Sequence, residues 1–163
     1  MSDHTKDKET PARVYISLGS NLGDRKARIE AAINWLGSHS EIRVTQYTPP
    51  VDTAPWGVEN QPRFLNAVAE IKTYLEPHPL LNELKIAERE LGRIARPAKW
   101  GPREIDLDIL LYDTRIVKTQ DLIIPHAHLT QRPFVLALLV QLDSGLMHPE
   151  LKISLRELLR ALG

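Results

Sequence analysis

The chain has 163 residues and a mass of 18.5 kDa, 42% hydrophobic and 26% charged, which predicts one globular domain with its own core. Its 21 basic and 21 acidic residues cancel, so no global field draws it to nucleic acid or to an anionic membrane, and any anion site has to be local. The absence of cysteine excludes disulfides, thiolate metal sites and thiol nucleophiles, and no apolar run approaches the ~20 residues that a membrane span needs. The opening MSDHTKDKETPAR is polar and lacks the apolar stretch of a signal peptide. These features predict a cytoplasmic protein with a frayed tail over 1–13, a single domain over 14–163, and neither membrane nor nucleic acid as partner.

Val14, Ile16 and Leu18 alternate with Tyr15 and Ser17, which predicts a first strand running into GSNLGD. Asp24 is a good N-cap for a helix with the stripe Ile29, Ala32, Ile33 and Leu36, and Gly37 can end it. Ile42, Val44 and Tyr47 suggest a second strand. The segment TPPVDTAPWGVENQPR, with four of the 12 prolines, reads as one long loop of the kind that is usually functional. FLNAVAEI reads as a third strand, with Leu65, Ala67, Ala69 and Ile71 facing the core and Phe64, Asn66, Val68 and Glu70 facing away. A helix from about Pro79 to Leu91 follows, with Leu80, Leu84 and Ala87 on its stripe and Gly92 as its stop. After a cationic loop, RIARPAKWGPR, comes EIDLDILLY. Period 2 puts Ile105, Leu107, Ile109 and Leu111 on one face of this strand, and Glu104, Asp106, Asp108, Leu110 and Tyr112 on the other. A short β pair around Ile116 and Leu122 to Ile124, an apolar helix FVLALLVQL, and a last helix opened by a Ser154/Glu157 capping box complete the chain. The order β, α, β, β, α, β is that of a ferredoxin-like α+β fold. It has an antiparallel sheet with helices packed on one face and an open face for a substrate.

Asp106 and Asp108 raise the chemical question. Two carboxylates on one strand face start ~7 Å apart and can lean together onto a cation. The cations Arg93, Arg96, Lys99 and Arg103 lead straight into them, an arrangement suited to a polyphosphate with its Mg²⁺. No GxxxxGK[ST] or GxGxxG motif is present, so a nucleotide would be held in another way. Phe64 and Phe134, the only phenylalanines, can stack on a flat heterocycle whose edge Asn66 reads. His126, near Arg132, reads as a phosphate contact, whereas His4, His39, His78 and His148 read as surface or packing residues. Asn21, in the GSNLGD turn, could offer its amide to a ligand.

The stretches GSNL (19–22), QPRFLNAV (61–68), KWGPREIDLDILLY (99–112) and PHAHLTQRPF (125–134) together resemble the 6-hydroxymethyl-7,8-dihydropterin pyrophosphokinase family, and the resemblance runs from Val14 onward. It implies transfer of a pyrophosphoryl group from ATP to the pterin hydroxymethyl oxygen, releasing AMP, with Asp106 and Asp108 holding two Mg²⁺ ions. By the same matching, Phe64 and Phe134 sandwich the pterin, Asn66 reads its edge, and backbone groups around Thr53, Ala54 and Trp56 complete the pocket. Glu88, Arg93, Arg96, Lys99, Trp100, Arg103, Ile109, His126 and Arg132 fall on the nucleotide side, with Arg103 and Arg132 stabilising transition-state charge. The loops at 46–62 and 93–103 become covers that exclude water. The chain departs from the family at Ala95 and Lys99, where arginine can occur, and at Ala127, where an aromatic can. The resemblance also implies a monomer. Ferredoxin-like sheets also read single-stranded RNA, but an acidic face without the aromatic RNP1 pattern argues against that use here. The intact set of Asp106, Asp108, Arg103, His126 and Arg132 argues against a silent homologue.

Overall fold

A computed structural model describes residues 10–55, 57, 59–94 and 101–163. The element order is β1 (Ala12–Ser20), α1 (Arg25–Ser38), β2 (Ile42–Tyr47), β3 (Val51–Thr53), β4 (Phe64–Thr73), α2 (Pro77–Glu90) and β5 (Asp106–Tyr112). A small hairpin, β6 (Val117–Lys118) and β7 (Ile123–Ile124), follows, then a 3-10 turn (Leu129–Gln131), α3 (Pro133–Leu142) and α4 (Leu155–Ala161). The main sheet runs β2-β4-β1-β5, antiparallel throughout, and β3 shares the β4 edge with β2. The expected α+β class with an antiparallel sheet is what is found. The long loop is not continuous, because Val51–Thr53 pairs with Phe64–Asn66. None of the helices among the described residues is long and apolar enough to cross a membrane.

Local chemistry sets the element ends. The Asp24 carboxylate accepts the Ala27 N–H at 3.1 Å and opens α1. That helix continues through Gly37 to Ser38 and ends on an extended His39, because Gly37 keeps a helical backbone and does not turn left-handed. Gly92 does turn, with φ +97°, and stops the chain just beyond α2. α2 starts at Pro77, two residues earlier than the stripe alone suggests, because a proline in the first turn needs no N–H partner. β1 likewise starts at Ala12, within the segment expected to fray.

Two cores flank the sheet. On one face Val14, Ile16, Leu18, Ala67, Ala69, Ile71, Leu107 and Ile109 pack against Ile29, Ala32 and Leu36 of α1 and Leu80, Leu84 and Ala87 of α2. The other face is open at one end only. At the other end, Tyr15, Val68, Leu110 and Leu111 lie under Val135, Leu136, Leu138 and Leu139 of α3 and Leu155 of α4. A register shift divides β5 to fit both layers. Ile109 faces Ile16 and Leu111 faces Tyr15, so Leu110 is an extra residue. Beyond it the alternation inverts, placing Leu111 in the second core and Tyr112 in the first, the reverse of simple period 2.

A buried polar clamp holds the far end of the second layer. Glu70 accepts the Tyr15 hydroxyl at 2.6 Å, the Thr45 hydroxyl, and the Gln46 amide at 3.2 Å. That amide also reaches the Leu142 carbonyl at the end of α3, and Arg13 pairs with Asp143 at 3.7 Å. Burial alone would push the Glu70 carboxyl up, but the bonds from Thr45, Tyr15 and Gln46 outweigh it and hold the pKa below the usual value. Burial and the Glu70 carboxylate push the Tyr15 hydroxyl up, so it stays a donor. Glu70→Leu would strand the buried Tyr15 hydroxyl, while Thr45 and Gln46 keep the Glu70 and Leu142 carbonyls as acceptors, so it should cost about 1–3 kcal/mol of stability in urea denaturation.

Candidate active site

The open end of the second face is floored by β1, where Gly19 pairs with both Asn66 and Asp106 and Ser17 pairs with Asp108. Small residues are needed there. A Cβ on Gly19 would stand 3.0 Å from Asn66 Oδ1 and 3.7 Å from Phe64. A cleft rises from this floor. At one end its lining includes Thr53, Ala54, Phe64, Asn66 and Phe134; at the other end it includes Gly101, Arg103, Asp106, Asp108 and Arg132. Phe64 and Asn66 come from β4, Thr53 from the end of β3, and Phe134 from the first turn of α3. Asn66 is held in place by its amide, which donates to Thr53 Oγ1 at 2.6 Å. One end of the cleft is thus aromatic with a fixed amide edge, and the other is charged.

At the charged end, Asp106 binds two arginines, Oδ1 to Arg93 Nη1 and Oδ2 to Arg103 Nη1, each at 3.1 Å. The same Arg93 nitrogen lies 2.8 Å from Glu88 Oε1, while Glu88 Oε2 accepts the Leu107 N–H at 2.8 Å. Burial and the neighbouring Asp106 charge push the Glu88 carboxyl up to about 7, against the opposing pull of the Leu107 N–H and Arg93. Asp108 is also raised well above the usual carboxylate range, first by burial and then by Asp106 and Glu88, despite Arg132 and Arg103. Its side chain is 36% exposed, but only into this protein-walled cleft, so the like charges beside it are poorly screened. Burial, the Asp-facing arrangement notwithstanding, also lowers the pKa of Arg132. Among the described residues no group of three His, Asp or Glu could hold a metal by itself. Two hard carboxylate oxygens that are short of positive charge suit a cation that brings its remaining oxygen ligands from phosphate and water, which is the habit of Mg²⁺.

His126 stands beside Asp108, with Nε2 3.9 Å from Oδ2. Its Nδ1 accepts the His128 N–H at 3.1 Å, so the neutral ring carries its proton on Nε2 and directs it toward the acidic side of the cleft. Burial, with Arg132 and His128 nearby, lowers its pKa to about 4. It is therefore a neutral donor at pH 7.

Most of the expected residues converge. Thr53, Ala54, Phe64, Asn66, Arg103, Asp106, Asp108, Arg132 and Phe134 line the cleft, and Glu88, Arg93 and His126 border it through Asp106 and Asp108. Ile109 shares the parity of Leu107, and its side chain is 3% exposed within the first core, so a nucleotide would meet its backbone rather than its side chain. Trp56, Arg96, Lys99 and Trp100, together with Ala95, lie outside the described residues. Asn21 is buried and spends its amide on protein partners at the base of the loops. Three participants were not anticipated. Ser17 and Gly19 could have been found from the period of β1, which puts its two smallest residues on the face shared with the aspartates. Glu104, placed by period 2 on the face of the aspartates, is buried and accepts the Ile94 N–H at 3.2 Å.

The depressed His126 pKa has a definite sign. Between its ordinary value of 6.5 and about 4 the unfolded chain binds a proton that the folded chain refuses, so stability falls as the pH drops through that window. The full difference is about 3 kcal/mol. Denaturation at pH 7 and pH 4.5 should show a loss that is smaller in His126→Gln, and ring ¹⁵N shifts should report a neutral Nε2–H imidazole at pH 6.

A sequence model of the family described as 7,8-dihydro-6-hydroxymethylpterin-pyrophosphokinase (HPPK) matches residues 15–144. The 2-amino-4-hydroxy-6-hydroxymethyldihydropteridine pyrophosphokinase of Bacillus subtilis strain 168 is 44% identical over 128 residues, covering 78% of this chain and 76% of its own. The enzyme of the same name from Aquifex aeolicus strain VF5 is 42% identical over 146 residues, covering 90% and 89%. A crystal structure of HPPK-DHPS in complex with substrates aligns with a TM-score of 0.74 over 94% of this chain at 12% identity, a likeness of fold. This chain spans 43% of that longer protein. With most of its length matched by the family model and by two relatives above 40% identity, the chain belongs to the 7,8-dihydro-6-hydroxymethylpterin-pyrophosphokinase family.

Proposed function

We propose that this chain transfers the terminal diphosphoryl group of ATP to the hydroxymethyl oxygen of 6-hydroxymethyl-7,8-dihydropterin, a reaction of folate biosynthesis. The pterin oxygen forms a bond to the β-phosphorus, the bond from that phosphorus to the α-phosphate bridging oxygen breaks, AMP leaves, and the hydroxyl proton is released. The observation that carries the reading is the two-ended cleft. Phe64, Phe134 and Asn66 offer two aromatic faces and an amide edge for a flat heterocycle. At the other end Asp106 and Asp108 meet Arg93, Arg103 and Arg132 where a triphosphate has to lie.

The residues divide the work. Phe64 and Phe134 hold the pterin ring and Asn66, with Thr53 and Ala54, fixes its edge, which sets the hydroxymethyl group toward the charged end. Trp56 falls in the same part of the chain. Arg103 and Arg132 stabilise the charge that develops on the transferred group. Arg93, Glu88 and His126, with Arg96, Lys99 and Trp100 from the basic loop, belong to the nucleotide side, and His126 serves as a neutral Nε2–H donor. Asp106 and Asp108 are the residues that would hold Mg²⁺, two ions with ATP, and these would supply the positive charge and Lewis acidity that a triphosphate facing carboxylates requires. The remainder is positioning and exclusion of water, which is where the barrier to phosphoryl transfer is mainly lowered.

³¹P NMR of the protein with ATP, Mg²⁺ and 6-hydroxymethyl-7,8-dihydropterin should show AMP and a pterin diphosphate. ADP would mean single phosphoryl transfer and would sink the reading. Asp106→Ala and Asp108→Ala should each slow turnover by at least about 100-fold. Phe134→Ala should raise the KM for the pterin by about tenfold, the loss of one stacking face, with little change in the KM for ATP.

A further inference from the structure

On the face that holds the cleft, β1 presents Tyr15, Ser17 and Gly19. Tyr15 gives its hydroxyl to Glu70 at 2.6 Å, and Gly19 has no side chain to give. Ser17 is half-buried in the lining of the cleft, and its hydroxyl has no hydrogen-bond partner among the described residues. Strand pairing fixes where that hydroxyl stands. The floor consists of two cross-strand rows, Asn66–Gly19–Asp106 and Val68–Ser17–Asp108. Successive rows on one face lie ~7 Å apart, and neighbouring strands ~4.8 Å. The first row has an amide at one end, a carboxylate at the other and bare backbone between them, which leaves room for a ring. In the second row, Val68 packs with Val135 in the second core, Asp108 is acidic, and Ser17 supplies the neutral polar group between them.

We infer that Ser17 is a specificity-determining residue that reads the hydroxymethyl group of the pterin: its Oγ accepts the substrate O–H. A ring held by Phe64, Phe134 and the Asn66 edge lies over Gly19, and a substituent directed from it to the aspartates of β5 passes Ser17. Desolvation then makes the contact matter. Water satisfies the hydroxyl while the cleft is empty, but a ring that fills the cleft expels that water. A hydroxyl left beside Val68 and Val135 is costly unless the guest supplies a partner. Ionised aspartates only accept hydrogen bonds and arginines only donate them, whereas a serine hydroxyl can do either. By accepting the substrate proton from the floor side, Ser17 leaves a lone pair of the hydroxymethyl oxygen directed away from the floor, where the phosphate chain has to approach.

The inference rests on the pyrophosphokinase reading, and the experiment separates the two. Calorimetry would measure the Kd of 6-hydroxymethylpterin and of 6-methylpterin, which lacks only the hydroxyl, with Mg²⁺ and α,β-methylene-ATP present. The methylene bridge replaces the oxygen at which the transfer breaks the chain. The wild type should prefer 6-hydroxymethylpterin by about tenfold or more, because 6-methylpterin leaves the Ser17 hydroxyl unmatched. Ser17→Ala breaks no hydrogen bond within the protein and should keep the melting temperature. It should bind 6-hydroxymethylpterin about threefold more weakly and 6-methylpterin about threefold more tightly, so that the preference falls by about tenfold. The gain for 6-methylpterin is the decisive sign, since a serine that merely shaped the floor would move both affinities together. A wild type without preference, an undiminished preference in Ser17→Ala, or an equal loss of both ligands overturns the inference with the pyrophosphokinase reading intact. Failure of the wild type to bind either pterin overturns both.

Discussion

Everything in the cleft depends on how three carboxylates are kept together. Glu88, Asp106 and Asp108 meet at one end of a sheet, and at an effective dielectric of ~20 a pair of like charges ~6 Å apart repels by about 3 kcal/mol. The fold meets this cost with arginines drawn from three places: Arg93 beyond α2, Arg103 before β5, and Arg132 ahead of α3. A single Arg93 nitrogen serves both Glu88 and Asp106, and Arg103 takes the other oxygen of Asp106. The raised Glu88 and Asp108 show that the neutralisation is incomplete, which leaves an appetite for more positive charge at a place where a cation and a polyphosphate can supply and use it.

The rest of the architecture serves that end of the sheet. The Leu110 irregularity lets β5 present acids to the cleft in its first half and leucine to the α3 layer in its second. α3 then covers half of the face and carries Phe134 in its first turn, with Arg132 at its cap, to the edge of the part left open. The Glu70 clamp holds the other end of the same helix through Gln46 and the Leu142 carbonyl. Small residues on the central strand keep the floor low enough for a ring to enter.

Much of this was legible in the chain. The alternation of β1 and β4, the Asp24 cap, the Ser154 cap of α4 and the acidic face of β5 are local signals, and local physics produced them. What could not be read are effects of partners distant in sequence. Nothing in DLDILLY marks Leu110 as the extra residue, because the shift comes from pairing with β1 and packing under α3. The pairing of Val51–Thr53 depends on the length of β4 beyond β2. Gly37 looked like a helix stop and is not one, since His39, already extended and bonded through its ring to Glu83 of α2, ends the helix. Most of the expected site residues meet in one cleft, but the hydrogen bonds of Asn21 required the positions of segments 40 and 82 residues away.

The same sheet face carries two kinds of buried carboxylate, and their contrast separates structure from chemistry. Glu70 has two hydroxyls and an amide aimed at its oxygens, with the Arg13 guanidinium 3.9 Å away, and its pKa is held down. Asp108 has Asp106 and Glu88 for neighbours, and its pKa is pushed up. Burial acts in the same direction on both, so burial does not distinguish them. The difference is whether the protein completes the coordination of the charge with its own dipoles or leaves that to a guest. A carboxylate satisfied by fixed donors of its own protein has nothing left to offer, and it stabilises a helix position. One crowded by its own charge stays poised for a cation, at the cost of stability that the arginines only partly offset.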